Sequence, residues 1–290
     1  MNRLTMALAA MVAGAFFLGA PATAKLTGDF AEMNEPLAPY RIGDNLYYVG
    51  AKDVTSYLIV TKDGLIVIDG GFKETAPEIL ANIKTLGFDP KHIRILLNSH
   101  AHLDHAGGLA ELKAVSGATF YASEPDAPVL AAGGANDFAL KGATYPPIKA
   151  DKIVPDGGTV SLGGVTLTAH VTAGHTKGCT TWTMPVMVDG KEQGALFLCS
   201  LSILSMYKLI GDPNYPTQAA DYEKSFATLK GLKCDVFLAS HGSFFDMLTK
   251  RGKLLAGAKP NPFVDPEGCK AFVEKAEAEF NRRLALAQKL

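Results

Sequence analysis

The order of segments along this 290-residue chain predicts an α+β fold. The expected architecture is an αββα sandwich, two mixed β-sheets packed face to face with helices on the outer faces. Two observations predict it. Short apolar strands open the chain with helices interspersed among the later ones, and the same pattern then repeats in the second half. The competing arrangement, a doubly wound parallel sheet, calls for a Gly-rich phosphate loop, yet none is present and the leading strands follow one another at hairpin spacing.

Residues 46–50, 56–61 and 65–69 read as strands, rich in β-branched and aromatic side chains, and Lys62-Asp63-Gly64 supplies the turn between the last two. A helix is expected over 75–86. Residues 93–98 form a short buried strand, and a helix opens at Ala106. A strand at 119–122 leads to a loop at 133–147, rich in Gly and Pro and long enough to flank a pocket. In the second half, strands are expected at 159–162, 165–171, 180–184, 195–199 and 236–240, with a helix near 220–230 and a last one from Cys269.

The chemistry concentrates in residues 100–105, His-Ala-His-Leu-Asp-His, which hold three of the seven histidines. These are zinc-ligand types, and they fall on a strand-to-helix loop. Because alternate residues of an extended segment face opposite sides, His100 and His102 can turn toward one metal while Asp104 and His105 face a second. A catalytic zinc needs three protein ligands and one open position. His175, flanked by Gly174 and Gly178 in a turn after a strand, completes the first set. His241 ends an apolar strand and completes the second with Asp104 and His105. His170 lies within a strand and His92 on a surface turn, and neither is expected to bind metal. Asp69, closing the strand 65–69, is expected to orient the ligand loop, although a plain turn aspartate reads the same way.

Residues 1–24 read as a secretory signal peptide, with a basic start, an apolar stretch too short to span a bilayer, and Ala22-Thr23-Ala24 as cleavage site. The mature protein, 25–290, is expected to be one periplasmic domain, monomeric and free of the membrane. Cleavage removes Arg3 and no acid, taking the formal charge from −1 to −2. Without a basic patch, nucleic acid is excluded and a small-molecule partner is favoured. Four cysteines in an oxidising compartment make a disulfide plausible, and spacing alone allows three pairings.

The His-x-His-x-Asp-His run, with Gly174-His175-Thr176 and Ser240-His241 downstream, resembles the metallo-β-lactamase fold superfamily over nearly all of the mature chain. Fold alone does not choose a reaction within that group. Its thioester, lactone and phosphodiester hydrolases usually carry a metal-bridging Asp at the end of the strand that here reads Ala195-Leu-Phe-Leu-Cys-Ser-Leu-Ser202, which holds no carboxylate. Two β-lactamase subclasses use a Cys ligand there. Cys199 is not expected to serve, because His105 already supplies the third ligand of the second site and Ser200 matches the serine of the remaining subclass. Thr144-Tyr-Pro-Pro147, Gly-Cys179, Cys-Ser-Leu-Ser and Asn261-Pro-Phe263 also look like members of that third subclass.

The resemblance implies two zinc ions, one on His100, His102 and His175, the other on Asp104, His105 and His241. It implies a bridging hydroxide, oriented by Asp104, that opens the amide bond of penicillins, cephalosporins and carbapenems, with Ser200 and Ser202 binding the substrate carboxylate. It also implies a Cys234–Cys269 disulfide. Cys179 and Cys199 are expected as buried free thiols. The alternative is another binuclear zinc hydrolase of the same fold, a lactonase or esterase-like enzyme.

Overall fold

The computed structural model describes residues 26–289, so the expected signal peptide lies outside the described residues. A short helix, α1 (Asp29–Met33), precedes a seven-stranded sheet. Its strands are β1 (Tyr40–Arg41), β2 (Leu46–Tyr48), β3 (Tyr57–Thr61), β4 (Gly64–Ile68), β5 (Ile93–Leu97), β6 (Thr119–Ser123) and β7 (Lys152–Val154), in that spatial order. The first four pair antiparallel and the last four parallel. The crossovers carry α2 (Ala76–Thr85), then α3 (Leu103–Ala106) with α4 (Leu109–Ser116), then α5 (Ala127–Ala131). The second sheet runs β8 (Thr159–Leu162), β9 (Val165–Val171), β10 (Thr180–Val188), β11 (Lys191–Leu198) and β12 (Val236–Ala239), antiparallel except for the parallel β11/β12 pair. Helix α6 (Gln218–Gly231) is the β11/β12 crossover, and α7 (Met247–Leu255) and α8 (Pro266–Ala287) follow. Both sheets are mixed, as the repeated strand and helix pattern predicts.

The strands of the first sheet read as continuous apolar runs because both faces are covered. Tyr57, Ile59, Ile66, Ile68 and Leu97 pack inward among Trp182, Phe197, Leu198 and Phe237 of the second sheet. Their neighbours Leu58, Leu65, Val67 and Leu96 point the other way, onto Ile79 and Ile83 of α2 and Leu109 and Leu112 of α4. Three hydrogen bonds stitch the sheets near one rim: Trp182 Nε1 donates to the Asn98 carbonyl at 3.1 Å, and Tyr57 Oη and Thr55 Oγ1 both donate to the Ala239 carbonyl at 2.7 Å. Cys234 and Cys269 form the expected disulfide, tying the start of α8 to the strand β12.

Two departures have physical causes. The β10/β11 hairpin extends well beyond the expected 180–184 and passes through Pro185. Pairing of β10 with β9 stops at Thr183, so the proline nitrogen faces an edge with no ladder partner. Strands β1 and β7, two and three residues long, are too short to leave a period in the sequence.

Candidate metal centre

One rim of the sandwich collects the C-terminal ends of β4, β5, β11 and β12, together with the turn between β9 and β10, because the β4/β5 and β11/β12 pairs are parallel. His100 and His102 follow β5, Asp104 and His105 lie in α3, His175 is in the β9/β10 turn and His241 follows β12. Gly174 holds φ +136°, and a β-carbon there would sit 2.6 Å from the Tyr222 ring. A β-carbon on Gly178 would collide with Ser123 and Asp126. The turn that presents His175 is thus open only to glycine at both flanks.

His100, His102 and His175 meet as a nearly equilateral triangle, with ring centroids 4.8, 4.8 and 4.7 Å apart. All three are buried. Beside them, His105 Nε2 lies 3.2 Å from His241 Nε2, and Asp104 Oδ2 lies 3.3 Å from the first and 3.5 Å from the second. All six expected ligands therefore come together in two adjacent groups. Asp104 and His241, 13% and 14% exposed in their side chains, open the second group to solvent.

The donor set fits zinc. A tetrahedral ion with ligand bonds of about 2.0–2.1 Å has ligand-to-ligand edges of about 3.3–3.4 Å, close to the three separations around Asp104, His105 and His241. Each imidazole, moreover, turns one nitrogen to an outer partner and leaves the other for the cluster, the arrangement that fixes ring orientation in metal sites. These outer partners are Ser99 Oγ for His100 (3.0 Å), Asp137 Oδ2 for His102 (3.7 Å), Asp69 Oδ2 for His105 (3.4 Å), the Ser202 carbonyl for His175 (2.7 Å) and Asp53 Oδ2 for His241 (3.0 Å). His102 Nε2 and His105 Nδ1 are buried with no hydrogen bond of normal geometry, and each faces its carboxylate at longer range.

Electrostatics separate the two groups. Burial pushes His102 down to about 4, and burial with the surrounding imidazoles holds His100 and His175 well below the usual histidine range. Those three rings are neutral at pH 7. Burial also opposes charge on His105, but the Asp104 carboxylate, with Asp69 behind it, outweighs this and pushes His105 up to about 10. Asp104 in turn is desolvated, yet His105, His241 and His102 hold it well below the usual carboxylate range.

Asp69 orients the ligand loop as expected. Its carboxylate accepts from Asn98 Nδ2 (2.9 Å), the Ser99 amide (2.6 Å) and Ser99 Oγ (2.6 Å), and its own backbone sits at φ +64°, a strained position for a residue with a side chain. Three further carboxylates carry no signal in the sequence. Asp53 holds His241 and accepts from the Ser243 amide at 2.7 Å. Asp137, in the 133–147 loop, stands behind His102. Buried Asp126 accepts from the Ala101 amide (3.0 Å), Thr176 Oγ1 (2.8 Å) and the Gly178 amide (2.8 Å), clipping the His100–His102 segment to the His175 turn. Burial pushes Asp126 up to about 6.

Cys179 and Cys199 correct an expectation. They are buried as anticipated but are joined as a disulfide rather than free. The turn before β10 and the end of β11 lie side by side at the rim, with Cα atoms 5.8 Å apart, a proximity that spacing in sequence does not reveal. Ser200 is buried and its Oγ accepts from the Ser202 amide at 3.2 Å, while the Ser202 carbonyl accepts from His175 Nδ1 and from Tyr222 Oη. Phe138, Tyr207 and Tyr215 form an aromatic wall, Tyr207 donating to the His175 carbonyl at 2.7 Å. His170 pairs instead with Thr183, and His92 sits in a surface turn, both apart from the centre.

The family model of the metallo-beta-lactamase superfamily matches residues 49–241. The chain belongs to the metallo-β-lactamase superfamily. Native FEZ-1 metallo-β-lactamase from Legionella gormanii is 42% identical with a TM-score of 0.86, covering 88% of this chain and 98% of its own. BJP-1, a subclass B3 metallo-β-lactamase of Bradyrhizobium japonicum, is 37% identical with a TM-score of 0.82, covering 89% and 97%. The class B3 di-zinc metallo-β-lactamase LRA-12 from an Alaskan soil metagenome is 35% identical with a TM-score of 0.84, covering 89% and 98%. The resemblance to the third metallo-β-lactamase subclass and the αββα fold are thereby borne out. A curated relative, the coenzyme F420H(2) oxidase of Methanocaldococcus jannaschii, is 27% identical over 151 residues, 44% of this chain and 33% of that protein, so the chain spans about one third of that relative's length.

Proposed function

We propose that this metallo-β-lactamase superfamily member is an exported di-zinc hydrolase that opens the amide bond of penicillins, cephalosporins and carbapenems. The observation that carries the reading is the donor set, three imidazoles on one side and Asp104, His105 and His241 on the other, with β11 leading into Cys199-Ser200-Leu201-Ser202 rather than a bridging carboxylate. A bridging side chain would occupy positions that the substrate's carboxylate and departing nitrogen require. The subclass B3 likenesses support the same reading.

His100, His102 and His175 would hold one ion, and Asp104, His105 and His241 the second. Bound zinc lowers the pKa of a water ligand from about 15.7 to about 7 and polarises a carbonyl. Asp104 directs Oδ2 at His105 and His241, leaving Oδ1 to accept a hydrogen bond from the attacking water. The water oxygen bonds to the lactam carbon, the carbon–nitrogen bond breaks and the nitrogen takes a proton. In this reading Ser200 and Ser202 engage the substrate carboxylate, and the Phe138, Tyr207 and Tyr215 wall beside His175 shields the bicyclic ring. Residues 1–24 would direct export to the periplasm, leaving 25–290 as one monomeric domain. Among the described residues no helix is long and apolar enough to cross a membrane.

The test is a panel of imipenem, an acyl homoserine lactone and S-lactoylglutathione, each with and without a chelator. Imipenem is expected to give a kcat/KM at least about 100-fold above the others and to lose it on chelation. Faster turnover of the lactone or thioester, or imipenem hydrolysis that survives chelation and desalting, overturns the reading in favour of another hydrolase.

A further inference from the structure

Behind the three-imidazole cluster the fold buries a second set of metal-type donors that the proposed hydrolysis does not use. Cys179 closes the turn that carries His175, and Cys199 follows β11. Cys199 Sγ lies 3.6 Å from His100 Nδ1, the nitrogen that faces Ser99 Oγ, and the two sulfurs and a ring nitrogen of His100 all fall within 4.8 Å of one another. A tetrahedral cation with a metal–sulfur bond of about 2.3 Å and a metal–nitrogen bond of about 2.0–2.1 Å spans a sulfur-to-nitrogen edge of about 3.6 Å. That edge is already present between Cys199 and His100, and Cys179 stands within reach once the two sulfurs part.

We propose that, once the Cys179–Cys199 bond is reduced, Cys179, Cys199 and His100 bind a thiophilic divalent cation of the zinc or cadmium class. The ligand chemistry favours such an ion, since paired thiolates are softer than the imidazoles and carboxylate of the neighbouring groups. Burial favours it too. Two thiolates in a dry interior are costly alone, and a divalent cation matches their charge. The reductant is a phosphine or a dithiol. With a phosphine, phosphorus supplies the two electrons that break the sulfur–sulfur bond, and water supplies both thiol protons and the oxygen that ends on phosphorus. The cation then displaces both thiol protons to solvent. Because the site takes His100 by Nδ1, it shares one imidazole with the three-histidine group, and filling it weakens that group's hold on its own ion.

The inference stands apart from the substrate reading, since failure of the imipenem assay leaves the thiol chemistry untouched. Its test uses the full mature chain, reduced anaerobically with a phosphine, freed of reductant and titrated with Cd(II). The references are the oxidised protein and the Cys179→Ser/Cys199→Ser double variant, the latter reduced in parallel so that Cys234 and Cys269 contribute equally. Reduced wild type is expected to bind one more Cd(II) than the reduced double variant and at least one more than the oxidised protein, and that equivalent should bring ultraviolet thiolate-to-cadmium absorption. Stoichiometry and absorption in reduced wild type no greater than in the reduced double variant overturn the proposal. Loss of the near-ultraviolet circular dichroism on reduction overturns it too, because the dithiol form then has no folded site. Should the double variant fail to fold, the Cys234→Ser/Cys269→Ser variant, titrated oxidised and reduced, gives the same comparison with Cys179 and Cys199 as the thiols.

Discussion

The two donor groups grow from one six-residue run yet differ in charge. His100 and His102 join His175 in a buried, neutral triangle, whereas Asp104 and His105, one turn of chain later, form a charged pair beside His241. The helical start at Leu103 causes the split, because it lifts Asp104 and His105 out of the extended segment and toward His241. A neutral set accepts a cation without releasing protons. A charged pair must give one up.

The strongest way to break the comparison is to remove one ligand from each side. Asp104→Asn should lower zinc stoichiometry from two to one and reduce kcat/KM on imipenem by on the order of 10³, since several kcal/mol of transition-state stabilisation depend on the second ion. His102→Ala should likewise lose one ion, but the one held by the triangle. Metal analysis of both variants checks this. If either variant loses both ions, the groups are one cooperative site and the distinction fails.

The carboxylates behind the ligands sharpen it. Asp126→Ala leaves the Ala101 and Gly178 amides and Thr176 Oγ1 without their acceptor and unclips the two segments of the triangle. Zinc affinity at the first site should fall about 10- to 100-fold, with the second changing by less than about twofold. Asp53→Ala should do the reverse, by about tenfold, because His241 is the ligand that leans on it. Competition with a chromophoric chelator measures both.

These positioning residues mark where sequence reading stops. The six ligands are legible because chemistry at a metal forces rare residue types into short runs or into strand-end turns. Most strands and long helices are legible because burial imposes a period. Asp53 and Asp126 belong to neither class. Asp53 meets His241 from 188 positions away and Asp126 meets Gly178 from 52, so each lies in an ordinary surface-like sequence and acquires its role only when the sheets pack. The Cys179–Cys199 bond escapes for the same reason, being made by two strand ends that tertiary packing brings together.

A gentler probe leaves the chain intact and counts protons. At pH 7 the triangle, with His102 near 4, should release none on loading, and the second group, with His105 near 10 in the metal-free protein, should release about one. Calorimetry in buffers of different ionisation enthalpy gives the number; a metal-bound water with a pKa near about 7 adds up to about one proton more, so a value near three or above would place protons on the triangle. The same shifts fix how the metal-free protein responds to pH. His105, raised above its unfolded value of about 6.5, contributes stability that is complete below pH 6.5 and lost as pH rises through about 10. Asp104 is depressed, so its contribution is present above about pH 4 and lost on acidification. His100, His102 and His175, depressed in the folded protein, act oppositely: the unfolded chain takes up their protons below about pH 6.5, so stability falls on acidification. The metal-free Tm should therefore peak near about pH 6.5 and decline both toward about pH 4 and toward about pH 10.

The smallest expected effect belongs to Ser200, in the segment that follows β11. Its hydroxyl accepts from the Ser202 amide, and the Ser202 carbonyl in turn accepts from His175, so Ser200 is either a substrate contact or a brace for the triangle. Ser200→Ala separates these. As a substrate contact worth about 1 kcal/mol in both ground and transition states, it should raise KM about fivefold with kcat nearly unchanged and zinc affinity unmoved. A brace would behave oppositely, lowering first-site affinity while leaving KM for the zinc-saturated enzyme alone. The substrate role predicts the first pattern, and steady-state kinetics at saturating zinc, set beside a zinc titration of the same variant, decides between them.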